Sequence, residues 1–366
     1  MTIDLHWYVP NVIEPGHRGD TNAEGWGSLD FSTEIARACE EGGWSGALVG
    51  AGWGRPDAFT VATALAARTT TFRPLVAIRP GYWSPAQFAT AAATLDSLSQ
   101  GRLLVNIVTG QDSPQAYGDS EVDQPTRYAR TREFMQVVRR LWTEEDVTYE
   151  GEHYRVEGAT ITPRPYTDGD RTRPTLYFGG ASEAAELTGA AEADVQLFWG
   201  EPLDGIAERI ERLQRLSAQA DREKPLEYGL RITTVSRDTT DEAWEAADRK
   251  LEQFAESGAD WIAAWHTGKA VGQQRLLDLQ ERGDVLDACL FTKPGKVGGG
   301  GAATTWLVGS HDEVAEALAA YHRLGVTHFI LSDTPYREEA LRVGRDLVPR
   351  LRALTADNEL AGAASR

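Results

Sequence analysis

Cysteine is nearly absent from this chain. Only Cys39 and Cys289 occur in 366 residues, far apart and without metal-type spacing. A disulfide framework is therefore excluded, and a chain this long needs none, because it can bury a large core. The scarcity implies a reducing, cytoplasmic setting. No stretch of about 18 uncharged apolar residues exists, so no membrane span is expected. The opening MTIDLHWYVP lacks a basic start followed by an apolar run, so no signal peptide is expected either. Positive charge is also in deficit. The net charge of −18 opposes nonspecific binding to nucleic acid or to an anionic membrane. An anionic ligand would need a local site of backbone N–H groups, hydroxyls and one or two arginines.

Several catalytic signatures are missing as well. No GxGxxG follows the first strand-like run, which disfavours an open dinucleotide-binding sheet. No GxSxG elbow supports triad hydrolysis. The seven histidines form neither HxxxH nor HxH, so no metal centre is expected.

What is present is alternation. Short β-rich runs at 3–9, 46–49, 72–78, 102–108, 175–178, 193–197, 227–235 and 328–331 are separated by segments of helical periodicity. Alternating strands and helices imply parallel pairing with right-handed crossovers. Strand count and length favour an α/β fold of the (β/α)8 TIM barrel class, as a single domain over residues 1–352 with a flexible tail at 353–366. Two insertions break the pattern. Residues 147–162 alternate around Glu150-Gly151-Glu152 and read as a hairpin. Residues 268–306 hold a charged helical stretch, then Lys296-Val297 and four glycines, Gly298 to Gly301. Such a run is costly to fix, so this segment is expected to be a mobile lid over the C-terminal face.

Barrel enzymes place their chemistry at the C-terminal ends of the strands. Here those positions are aromatic and poor in acids and bases. Trp7, Trp53, Trp83 and Trp199 fall near strand ends, with Ala51-Gly52 after the second strand and Asn106 on the fourth. Arg231 and Thr233 lie on the seventh, and Thr334 follows the eighth. A wide aromatic pocket with few titratable groups suits a planar cofactor that performs the reaction itself. Filling the core is the plainer role for any one tryptophan. Phe178-Gly179-Gly180-Ala181-Ser182 is the best phosphate candidate. Its glycines permit close backbone approach, and Ser182 opens a helix, although Ser182 would also serve as an ordinary N-cap.

At these residues the chain resembles the alkanesulfonate monooxygenase branch of the bacterial luciferase-like flavin monooxygenases. The matching segments include 92–102, Asn106 to Gly110, Arg127-Tyr128, Tyr177 to Ser182, Trp199 to Pro202, Gly229 to Arg231, Val271 to Arg275 and Arg342 to Gly344. They run collinearly through residues 1–352. The resemblance implies a two-component enzyme that takes reduced FMN from a separate NAD(P)H-dependent flavin reductase. It would react the flavin with O2 to form a flavin peroxide and oxygenate a small organic substrate, such as an alkanesulfonate or another organosulfur compound. It also implies a homodimer or homotetramer. By the same likeness, Asn106 would sit at the reactive edge of the flavin. Ala51, Gly52, Gln115, Arg127, Tyr128, Ala181 and Ser182 would hold the cofactor. Arg231, Thr233 and Thr334 would complete the catalytic set, and Trp7, Trp53, Trp199, Arg231 and Lys296 would line the substrate pocket.

The substrate half departs from the branch. Thr233 stands where the sulfonate enzymes carry a His, Thr334 where they carry a Tyr, and Lys296-Val297 where a lid Arg precedes the glycines. Arg231 is left either to anchor an anion or to brace the barrel. Two alternatives stay open: a deazaflavin-dependent hydride-transfer enzyme on the same fold, and a non-catalytic flavin-binding relative.

Overall fold

The structure, a computed structural model, describes residues 3–364 except 21–23, 53, 111–113, 120–122, 221, 223 and 266–269. Side chains of 114, 257–265 and 357–364 are likewise outside it. Eight parallel strands close on themselves: β1 (Asp4–Val9), β2 (Gly46–Val49), β3 (Arg73–Ile78), β4 (Leu104–Ile107), β5 (Thr175–Gly179), β6 (Val195–Trp199), β7 (Glu227–Arg237) and β8 (Val326–Ser332). β8 pairs with both β7 and β1, which closes the ring. Near-continuous burial along these strands is what a sheet covered on its outer face by helices and filled on its inner face requires. Among the described residues no helix is long and apolar enough to cross a membrane.

The helices start on side-chain caps. Ser28, Asp57, Ser84, Asp123 and Ser182 accept backbone N–H bonds at the starts of α1 (Leu29–Glu41), α2 (Ala58–Arg68), α3 (Pro85–Leu98), α4 (Gln124–Thr143) and α5 (Glu183–Glu192). Ser182 does so soon after its strand ends, whereas Ser28 and Asp123 follow long loops. The expected hairpin forms from Val147–Glu150 and Arg155–Ala159. It follows α4 and folds back along it, its turn bonded to Glu133.

The second insertion begins earlier than expected. β7 is 11 residues long. Its first half closes the barrel, and its second half rises past the rim. There Thr233 to Arg237 pair with a parallel strand, Trp306–Ser310. The helix Thr240–Trp265, which follows β7 where strand–helix alternation would put a barrel helix, packs on that upper sheet and on the His17–Gly19 turn. The helix that covers the barrel between β7 and β8 is instead His311–Arg323, started by a capping box of Ser310 and Glu313. Between them the described chain forms a helix Val271–Arg282, a small antiparallel hairpin and a short helix Pro294–Val297.

The glycine run expected to be a slack tether is packed. Gly298, Gly299 and Gly300 are buried. A Cβ on Gly298 would lie 2.5 Å from Thr304 Cγ2, and one on Gly300 would lie 2.5 Å from the Gln273 carbonyl. These glycines serve close approach between segments, a need that composition does not distinguish from flexibility. Of the expected lid, 268 and 269 lie outside the described residues. The tail expected beyond 352 continues as helix Val348–Ala364, since Leu351 and Thr355 are buried.

Candidate active site

The mouth is built from two halves. One is a glycine turn between β5 and α5. Gly180 has φ 151°, and a Cβ there would lie 2.5 Å from Ala185 Cβ and 3.4 Å from Tyr128 Oη, so only glycine fits. Ser182 caps α5 through Ala185 N, close to the Tyr128 phenol. Burial pushes the Tyr128 phenol up, which keeps it a neutral hydrogen-bond donor. Arg127 is half-buried one residue before it on α4. The Gly180 carbonyl is held from behind by Arg209, which is buried and spans Glu186 at 2.9 Å and Glu201 at 3.0 Å. Glu201 in turn bonds Arg275 on the insertion helix at 2.7 Å. Glu186 and Glu201 are thus neutralised by arginines, while Glu183 in the first turn of α5 stays exposed.

The other half surrounds Tyr8, at the end of β1. Its ring lies under two guanidiniums, Arg231 at 4.9 Å and Arg18 at 5.7 Å from its centroid, while Arg55 donates to its hydroxyl at 3.3 Å. Burial would raise the Tyr8 phenol, and the three arginines outweigh it and draw it down. Arg231 donates to the Ile232 and Ile330 carbonyls and to Ser332 Oγ at 3.0 Å. Burial and Arg18 push its guanidinium down to about 9. Arg18 bonds the Ala302 carbonyl at 2.6 Å, and its Nη1 is buried without a partner among the described residues. Among the described residues neither Arg18 nor Arg231 has a carboxylate within 4 Å. His17 bonds Tyr336 Oη at 2.8 Å and is held neutral, its pKa driven well below the usual range by burial and then by the same arginines. A small opening, with enclosed room for little more than a water molecule, is lined by Arg18, Thr233, Lys250, Asp333, Thr334 and Tyr336.

Asn106 connects the halves. It is buried on β4, and its Oδ1 has no hydrogen-bond partner among the described residues. A buried amide oxygen left bare costs about 1–3 kcal/mol, so the arrangement fits a ligand donor at that point. The orphaned amide oxygen of Asn106 could accept from a flavin ring, and the turn at Gly180 could take a phosphate.

The remaining candidates divide. Ala51 and Gly52 are half-buried at the end of β2, and Ala181 is half-buried in the glycine turn. Trp199 ends β6 with its ring 3.4 Å from where a Gly272 Cβ would be, so the insertion helix packs onto it. Thr233 is buried, donates to the Ala303 carbonyl at 3.0 Å and lies 3.3 Å from Ser332 Oγ. Thr334 lines the cavity but its carbonyl receives Lys250. Gln115 is exposed on a short turn, and Lys296 is exposed rather than set in a pocket. Trp7, expected at the mouth, faces outward. Its Nε1 donates to the Tyr336 carbonyl at 3.0 Å, and its ring packs on Trp44 at 4.9 Å. Strand alternation decides this: His6 and Tyr8 take the lumen side of β1, so Trp7 cannot. Trp53 lies outside the described residues. Sequence reasoning missed His17, Arg18 and Tyr336. They come from a loop and a helix start, where no periodicity marks a side chain as lumen-facing.

Comparison with known proteins bears on the fold and the family. A riboflavin lyase solved with modified FMN and riboflavin superposes with a TM-score of 0.77 at 20% identity, covering 96% of this chain and 92% of that one. An EDTA monooxygenase from Chelativorans sp. BNC1 gives 0.78 at 14% identity, covering 96% and 94%. A coenzyme F420-dependent tetrahydromethanopterin reductase from Methanopyrus kandleri gives 0.68 at 17% identity, covering 96% and 99%. These likenesses carry the fold. The sequence itself matches the luciferase-like monooxygenase family across residues 4–328, and the chain belongs to that family of flavin-dependent monooxygenases.

Proposed function

We propose that this enzyme uses reduced FMN, received from a separate NAD(P)H-dependent flavin reductase, to oxygenate a small organic anion. The observation that carries the reading is the pair Arg18 and Arg231. Arg231 is desolvated and Arg18 half-buried, with no carboxylate beside either among the described residues, and an anionic head group between them would offset the cost of burying that charge. A sulfonate or other organosulfur anion satisfies this chemistry. When bound, the flavin supplies the activation of oxygen. The chain's own residues bind and orient. Tyr128, Ser182 and the α5 N-terminus hold a phosphate. Asn106 presents its amide oxygen to the ring. Arg231 and Arg18 fix the substrate's charged end, while the insertion over the mouth keeps water away.

The test is single-turnover oxidation with reduced FMN and 18O2, run with a panel of alkanesulfonates and uncharged analogues. Product carrying one 18O from the anionic series supports the proposal. Arg231→Met should raise KM for anions by at least ~10-fold and leave flavin affinity unchanged. Tight binding of F420 with no binding of reduced FMN would overturn it in favour of hydride transfer. Flavin binding with only uncoupled oxygen consumption across the panel would overturn it in favour of a non-catalytic relative.

A further inference from the structure

The flavin site uses the mouth of the barrel and leaves its opposite end unexplained. There, Asp4 and His6 are alternate residues of β1, so both face the lumen. His328 on β8 is in register with Asp4, and Tyr177 reaches in from β5. His6 and Tyr177 are fully buried, and His328 nearly so. Asp4 Oδ2 lies 3.4 Å from His6 Nε2 and 3.9 Å from His328 Nδ1. Tyr177 Oη lies 2.9 Å from His328 Nδ1 and 3.5 Å from His6 Nε2. A tetrahedral ion with bonds of about 2.0–2.2 Å sets its ligand atoms roughly 3.3–3.5 Å apart. The four distances bracket that value.

The surroundings match as well. His328 Nε2 lies 2.7 Å from Glu227 Oε2, and a carboxylate only accepts, so Nε2 carries the proton. In the neutral ring Nδ1 then turns a bare lone pair into the cluster. A carboxylate behind the imidazole is the usual companion of a metal-bound histidine. Arg73 donates to the same oxygen, Asp4 Oδ2, at 3.0 Å, so a metal would share it with the guanidinium. His6 Nδ1 has no partner among the described residues, so only its Nε2 contacts orient the ring. Asp4 is 19% exposed, which leaves an entry path from the barrel floor.

We propose that this cluster binds one divalent cation of the zinc class, through Asp4 Oδ2, His6 Nε2 and His328 Nδ1, with Tyr177 Oη as fourth ligand. No position is left for a substrate, so the ion is structural. It would tie β1, β5 and β8 directly and β7 through Glu227. Without it, Tyr177 donates to His328 and His6 donates to Asp4, so the floor holds in either state. Metal binding therefore adds stability without being required for folding, by an amount that grows with free metal concentration. Sequence spacing concealed the site because its ligands come from three strands.

The full chain is stripped with EDTA and titrated with zinc(II), then with cobalt(II) as a spectroscopic probe. One zinc per chain after gel filtration, a rise in Tm on zinc addition and an intense tetrahedral cobalt spectrum are expected. His6→Gln and His328→Gln should each weaken binding at least ~100-fold, and Glu227→Gln about 10–100-fold. His153→Gln, away from the cluster, should leave it unchanged. Substoichiometric zinc at micromolar free metal overturns the proposal with the unaltered chain alone, so variants that fail to fold do not protect it. An octahedral cobalt spectrum, or binding that survives His6→Gln in a folded variant, overturns it too.

Discussion

Gly180→Ala isolates the proposed phosphate site from the rest of the fold. The added methyl would sit 2.5 Å from Ala185 Cβ, whereas ordinary contact begins at 3.4 Å. The start of α5 must therefore retreat by about 1 Å, and overpacking of this kind costs about 1–3 kcal/mol. The backbone conformation adds about 1–3 kcal/mol more, because φ 151° disfavours any residue with a Cβ. Unfolding entropy for 366 residues is about 0.8 kcal/mol per kelvin, so Tm should fall by about 3–8 °C. The diagnostic effect lies elsewhere. Tyr128 Oη and the Ser182 hydroxyl share the displaced corner, so affinity for FMN should drop at least ~10-fold. Fluorescence quenching of FMN, read beside a thermal melt, measures both. Leu318→Ala, in the helix His311–Arg323, is the control: a fully buried side chain whose loss costs about 2–5 kcal/mol and should leave FMN affinity unchanged. If Gly180→Ala lowers Tm but binds FMN like the parent, the turn is structural and the phosphate lies somewhere else.

Asn106→Ala should leave Tm within about 1 °C of the parent, since its Oδ1 makes no bond to lose, while single-turnover oxidation falls by at least ~10²-fold. An equal loss of stability would make it a core residue. Trp7→Ala should cost about 3–5 kcal/mol, or roughly 4–6 °C of Tm, with substrate preference unaltered. A changed preference would put Trp7 back in the pocket. His17 carries a pH signature. Its folded pKa lies below the unfolded one, so between the two the unfolded chain holds more protons, and stability is lost as pH falls below about 6.5. The loss is at most about 1.4 kcal/mol per pH unit. A bound anion should flatten that slope by offsetting Arg18 and Arg231, and His17→Gln should remove it.

All eight barrel strands were legible in the sequence, because a strand buried on both faces is a short apolar run between turn signals. The N-cap role of Ser182 was legible too, since a serine just before a helical segment is a common cap. The rest failed for identifiable reasons. Trp7 was misplaced because proximity to a strand end does not say which face a residue takes, and one step along β1 reverses the answer. Gly298 to Gly301 were read as slack, although glycine serves crowding and slack alike and only neighbours decide which. Arg18 was invisible: it sits in a loop, in a left-handed conformation with φ 57°, and matters only because its guanidinium reaches the ring of Tyr8. The anion reading therefore gained its second cation from three-dimensional arrangement alone.

The double use of β7 restricts how the mouth can be redesigned. One continuous strand belongs to the scaffold below Thr233 and to the roof above it. A transplant of the roof from a relative would have to bring Thr233 to Arg237 along with Trp306 to Ser310, and would therefore cut into the scaffold. Simple excision would leave five residues of strand with one bare edge, open to pairing between molecules. Swapping specificities in this protein is thus easier by changing side chains around Tyr8 than by exchanging the segment that covers it.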